Sequence, residues 1–140
     1  MKALRPLVLS MVLLSSCAGA DTLRTADGTA YGPLRDLRGI AENGFEVDSV
    51  TLCARDRATC TANQPPANRR SCWIEHTPAA REQLMRLTKG QAYSKYGYNR
   101  YWMEFSGRQT RAEGQYGHLG AYPCRILVED LRTYDPLPAR

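Results

Sequence analysis

Few residues in this 140-residue chain could move a proton or ligate a metal. His76 and His118 are its two imidazoles, and cysteines stand at 17, 53, 60, 72 and 124. Neither histidine falls in an H-E-x-x-H motif, and no G-x-S-x-G or P-loop pattern occurs. Glu75 and His76 are consecutive, and on a strand consecutive side chains point to opposite faces, so they do not form one acid–base unit. Carboxylates can always be paired on paper, Glu104 with Glu129 for example, but the separation that defines a glycosidase pair is not written in a sequence. No catalytic residue, metal ligand or cofactor is assigned on these grounds.

The cysteines carry more information. Setting Cys17 aside leaves Cys53, Cys60, Cys72 and Cys124, separated by long, uneven gaps with no C-x-x-C pair, which speaks against a zinc site and for two disulfides in an oxidising compartment.

A second chemistry is recognition. Tyr93, Tyr96, Tyr98, Tyr101 and Trp102 crowd ten residues, and Tyr116 and Tyr122 flank His118 in "EGQYGHLGAYPC". Flat amphipathic rings in loops suit sugar or protein contact. The candidate binding residues are Arg108, Arg111, Tyr116, His118 and Tyr122, with Tyr96 and Tyr98 on a second aromatic loop; His118 is expected to hold its own loop by bonding to backbone. Gly114, Gly117 and Gly120 recur every third residue, a spacing that predicts a compact loop over 107–123 with several positive φ angles.

The elements that must position these residues are legible in part. "GPLRDLRGIAENG" fits a bent first strand or a helical turn equally, because four glycines and prolines interrupt its helical spacing. In "GFEVDSVTLCAR", Phe45 and Val47 alternate with acids before the apolar phase moves to Val50 and Leu52, the pattern of a bulged second strand. "RDRATCTANQPPANRR" reads as a polar loop and "SCWIEH" as the third strand. Thr77-Pro78 opens a helix with Ala80, Leu84 and Leu87 on one face, closed by Gly90. "YWMEFSGR" is a fourth strand with Tyr101, Met103 and Phe105 on one side, and "CRILVEDL" a fifth. A Pro-containing tail follows.

The N-terminus places the protein. Lys2 and Arg5 precede an apolar run, Leu7 to Leu14, too short to span a bilayer. Leu14-Ser15-Ser16-Cys17 resembles the bacterial lipoprotein signal, which implies cleavage before Cys17 and its acylation. An ordinary secretory signal cut near Ala20 is the other reading. Ala18 after the cysteine, where aspartate would imply inner-membrane retention, implies the outer membrane facing the periplasm. The mature chain then carries 17 basic against 14 acidic residues, a net +3. That is too dilute a charge for a nucleic-acid interface, and suits at most a preference for anionic partners such as lipid headgroups or acidic glycans.

Three strands, a helix and two strands is the order of the OB-fold, a small five-stranded barrel with its helix between the third and fourth strands. The stretch "YWMEFSGRQTRAEGQYGHLGAYPCRILVE", Tyr101 to Glu129, resembles the C-terminal end of small bacterial envelope proteins with an OB-like barrel. The resemblance implies fold and location, and no activity. In such a barrel the third and fifth strands run parallel, which would pair Cys72 with Cys124 and leave Cys53 with Cys60; Cys53–Cys72 with Cys60–Cys124 is the rival. The expected organisation is a signal peptide over 1–16, a flexible tether over 17–30, a mainly β, OB-like barrel domain over 31–134 and a tail over 135–140. The expected function is a non-catalytic envelope lipoprotein binding a protein or glycan through its barrel loops. An inhibitor or immunity protein against a lysozyme-like or secreted toxic enzyme, and a cell-wall hydrolase, are the alternatives.

Overall fold

The computed structural model describes residues 21–62, 71–90 and 99–138. The signal segment, Cys17, Pro65-Pro66, Tyr93, Tyr96 and Tyr98 lie outside the described residues. Among the described residues no helix is long and apolar enough to cross a membrane.

Five strands close a barrel: β3 (Arg35–Gly44), β4 (Val47–Leu52), β5 (Ser71–His76), β6 (Asn99–Gln109) and β7 (Arg125–Pro136), joined in the order β3-β4-β5-β7-β6 and back to β3. β5 and β7 are parallel and every other pairing is antiparallel. This is the OB-like arrangement expected of the strand order. "GPLRDLRGIAENG" therefore resolves as a strand, its Ile40 and Ala41 packing on opposite sides of the barrel wall.

One side of each strand fills a single core. Val50, Met103, Phe105, Ile126 and Val128 are fully buried there together with Ala41, Ile74 and Leu131; burying each large side chain contributes about 1.5–3 kcal/mol. Helix α2 (Pro78–Leu87) adds Ala80 and Leu84 to this core, while Leu87 stays exposed. Its start is fixed by Thr77, whose Oγ1 accepts the Ala80 N–H at 3.2 Å and whose own N–H reaches Val128 O.

Outside the wall, Trp102 and Ile40 form a second cluster with Cys60. The polar loop expected after β4 supplies its lid, a six-residue helix α1 (Arg57–Ala62). The signal was Asp56, which caps this helix by accepting the Thr59 N–H at 3.0 Å. The disulfides are Cys53–Cys60, which pins α1, and Cys72–Cys124, which joins the parallel strands with their Cα atoms 4.6 Å apart.

Three expectations are corrected. The bulge placed in the second strand is absent, since β3 and β4 pair without a register shift; the shifts fall between β6 and β7, at Glu104/Phe105 and Ser106/Gly107. The apparent phase change arose because Phe45 and Glu46 form the β3–β4 turn rather than strand. The tail is also strand as far as Pro136, because the first half of β6 needs a partner; Tyr101 to Glu104 pair with Pro136 to Thr133, and Leu137 joins the Trp102 cluster. Proline at the end of a strand removes no essential hydrogen bond.

The tether expected over 17–30 is folded from Asp21 onward. β1 (Leu23–Arg24) and β2 (Ala30–Tyr31) pair around a turn at Asp27-Gly28, and this hairpin is clamped to the barrel. Arg108 holds Asp21 at 3.2 Å and Arg125 holds Asp27 at 3.0 Å, and Tyr31 is completely buried under the Arg125 guanidinium. Burial pushes the Tyr31 hydroxyl up to about 12.

Candidate binding rim

Barrel shear brings distant loops together. Following the ladder from Arg100 through Glu42, Ser49, Trp73 and Arg125 returns to the end of β6 at Thr110, the residue directly after the strand and ten residues further along. The steep tilt lets the β3–β4 turn and the long β6–β7 loop meet over β5.

The loop begins after Gln109, so Gly107 belongs to β6 rather than to the expected loop over 107–123. Its fold is set by Gly117 at φ 69°, where an added Cβ would lie 2.3 Å from the Trp73 ring. Trp73 stands on the outer face of β5, with Tyr122 tilted against it at 5.4 Å. Tyr116 and Tyr122 bridge each other across the loop, and the Arg125 guanidinium lies 5.4 Å from the Tyr116 ring centre. A cation over an aromatic face is attractive, so Arg125 ties loop, hairpin and β7 into one body.

From this body two tips project. His118 Nε2 is 3.1 Å from Glu46 Oε2, so the histidine reaches the neighbouring turn instead of its own loop backbone as expected. The residues beside this contact, Phe45 and Leu119, are 83% and 90% exposed. Glu46 and Leu119 also take φ of 58° and 54°, a left-handed conformation that side chains of their kind rarely adopt. Strain of this kind, of order 1–3 kcal/mol, persists where surrounding structure enforces it, and is found most often at functional sites.

The sequence-derived candidates divide accordingly. Arg108, expected to be exposed, has an 11% exposed side chain bound to Glu129 and Asp21, and the Glu129 hydrogen bond holds its charge more firmly than usual. Tyr116 and Tyr122 are half-buried parts of the loop's own packing. Arg111 remains exposed, and His118 stands at the rim. Phe45, Glu46, Leu119 and Trp73 were missed. The signal for the turn was Asn43-Gly44 directly before Phe45, a turn-forming pair that marks the end of a strand.

A separate crevice of about 340 Å³ opens between β4 and β5, lined by Asp48, Trp73, His76 and Arg81 among others. Burial raises the Asp48 carboxyl to about 7, opposed by Arg81, and burial lowers His76 to about 4, reinforced by Arg81. His76 thus shares its crevice with Asp48 and feels the Arg81 charge, groups on other elements that its chain neighbours could not reveal. Glu104 accepts from Trp102 Nε1 and Glu129 from Arg108 Nε, so each carboxylate has its own partner. Among the described residues no group of three or more potential metal ligands occurs.

Comparison with protein-family models, curated proteins and solved structures gave no match for this chain.

Proposed function

We propose that this is a non-catalytic envelope lipoprotein that binds a protein partner through the rim formed by the β3–β4 turn and the β6–β7 loop. The observation that carries the reading is the pair of exposed apolar side chains, Phe45 and Leu119, on two loop tips joined by Glu46 and His118. Leaving Phe45 and Leu119 in water, with Glu46 and Leu119 in strained backbone, costs stability and gives the fold nothing in return, whereas a partner surface would bury the two apolar side chains. Convex apolar prongs suit a concave target. This favours a protein over a glycan, and within the binding class it favours the narrower reading of an inhibitor or immunity protein that fills an enzyme cleft.

The lipobox supplies the location. If Cys17 is acylated, only Ala18, Gly19 and Ala20 separate the anchor from Asp21, which Arg108 already holds on the barrel. At no more than about 3.6 Å per residue, the barrel would sit within roughly 15 Å of the lipid surface. Metabolic labelling with a fatty-acid analogue tests the anchor, with Cys17→Ser as the unlabelled control.

Photo-crosslinking residues placed at Phe45 and at Leu119 test the rim, with Met85 on α2 as an equally apolar control that is 41% exposed. One discrete partner adduct from both rim positions and none from Met85 is expected. Equal adducts from all three positions would sink the reading.

A further inference from the structure

We propose that a groove where β3 begins and β6 ends is a binding site for an oxyanion, phosphate or carboxylate, carried on a small polar ligand. The groove holds about 310 Å³, at the lower end of the range for small-molecule sites, and Arg35 and Arg111 stand on it with Leu37 and Gln109.

Its construction explains why it stays open. The ladder sets Arg35 opposite Gly107, so no side chain fills the space across from the guanidinium. Gly107 cannot be replaced, because an added Cβ would lie 2.6 Å from Leu127 O. The walls are fastened by backbone hydrogen bonds, Gly32 N–H to Gln109 O at 2.9 Å and Arg111 N–H to Ala30 O at 3.0 Å. The site is thus pre-formed, which lowers the ordering cost of binding.

Charge points to the ligand. Around the groove the other arginines are neutralised: Arg108 by Glu129 and Asp21, Arg125 by Glu75 and Asp27, Arg132 by Asp36. Arg35 and Arg111 make no ion pair or side-chain hydrogen bond among the described residues. All the aspartates and glutamates of the chain lie within those residues. Two unpaired guanidinium forks on one fixed groove match the oxygens of a phosphate or carboxylate, which each fork can grip bidentately.

Titration calorimetry on the full chain with glucose 6-phosphate, glucuronate, inorganic phosphate and neutral glucose tests this. Sedimentation with phosphatidylglycerol against phosphatidylcholine vesicles distinguishes a headgroup from a free ligand. Saturable binding of at least one of the anions, or of the phosphatidylglycerol vesicles, is expected, with glucose and phosphatidylcholine silent. Arg35→Ala and Arg111→Ala should each weaken it roughly tenfold or more, as loss of a charged hydrogen bond does. Arg35→Lys should recover only part of the affinity, and Arg38→Ala, which removes another exposed charge of β3 away from the groove, should change nothing. Unaltered melting temperatures would show that each variant folds. No binding of any anion, or binding that Arg38→Ala weakens as much as Arg35→Ala does, would overturn the proposal.

Discussion

His118 Nε2 lies 3.1 Å from Glu46 Oε2, and this contact fastens the β6–β7 loop to the β3–β4 turn. Both side chains are more than a third exposed, so the contact contributes little to global stability. A double-mutant cycle with His118→Ala and Glu46→Gln should give a coupling of about 0.2–1 kcal/mol, falling with added salt. Its larger effect is on geometry: either variant should weaken partner crosslinking from Phe45 and Leu119 together.

Leu119 at φ 54° offers a sharper test of whether the rim exists for binding. Glycine relieves the left-handed strain but adds freedom to the unfolded chain. Leu119→Gly should therefore leave stability unchanged or raise it by up to about 1 kcal/mol, read by urea denaturation, while the partner adduct is lost. A drop of more than about 2 kcal/mol would mean that the side chain serves the fold, against its 90% exposure.

Gly117 is the opposite case. Gly117→Val meets both a positive φ and the Trp73 ring 2.3 Å from its Cβ. A destabilisation of about 2–4 kcal/mol is expected, with loss of the Trp73–Tyr122 packing visible in near-ultraviolet circular dichroism.

The barrel and its staples could be read from the chain because each rests on a local pattern: alternating apolar positions in β6, Thr77-Pro78 at the helix start, and an even cysteine count once Cys17 is set aside. What escaped depended on long-range closure. Tyr134 reads as tail until β6 is known to need a partner, and Asp27-Gly28 reads as linker until Arg125 is known to hold Asp27. The candidate site was only partly legible for the same reason. Tyr116 and Tyr122 look like binding residues in sequence, yet Arg125 and Trp73 absorb them, while Phe45 looked like a core residue until the turn put it outside.

The two disulfides differ in what they constrain. Cys72–Cys124 closes a separation of 52 residues and Cys53–Cys60 one of 7. Chain-entropy arithmetic gives about 4 and about 2.5 kcal/mol respectively. Cys72→Ala with Cys124→Ala should thus lower the urea midpoint more than Cys53→Ala with Cys60→Ala, which should mainly loosen α1 and expose Trp102, seen as a red shift in its fluorescence.

The crevice between β4 and β5 predicts an unusual pH response. The folded Asp48 carboxyl titrates at about 7 against 3.8 for a free aspartate, so between those values the folded state holds a proton that the unfolded chain has released. Its contribution is intact below about pH 4 and is lost as pH rises to 7. His76 has the reverse sign: with a folded value of about 4 against 6.5, the unfolded chain holds the extra proton, and stability grows over that interval. The charged group facing both is Arg81 on α2, while the Glu75 side chain turns to the other face of β5, where it binds Arg125. Each slope is at most about 1.4 kcal/mol per pH unit, and the two oppose each other from pH 4 to 6.5. For these two groups, then, a nearly level stability over that range is expected, with a decline confined to pH 6.5–7. Asp48→Asn should unmask a rise from pH 4 to 6.5, and His76→Gln a fall from pH 4 to 7, each measured by urea denaturation in half-unit steps. If both variants followed the unmodified protein at every pH, neither group could be held in the crevice in the state described.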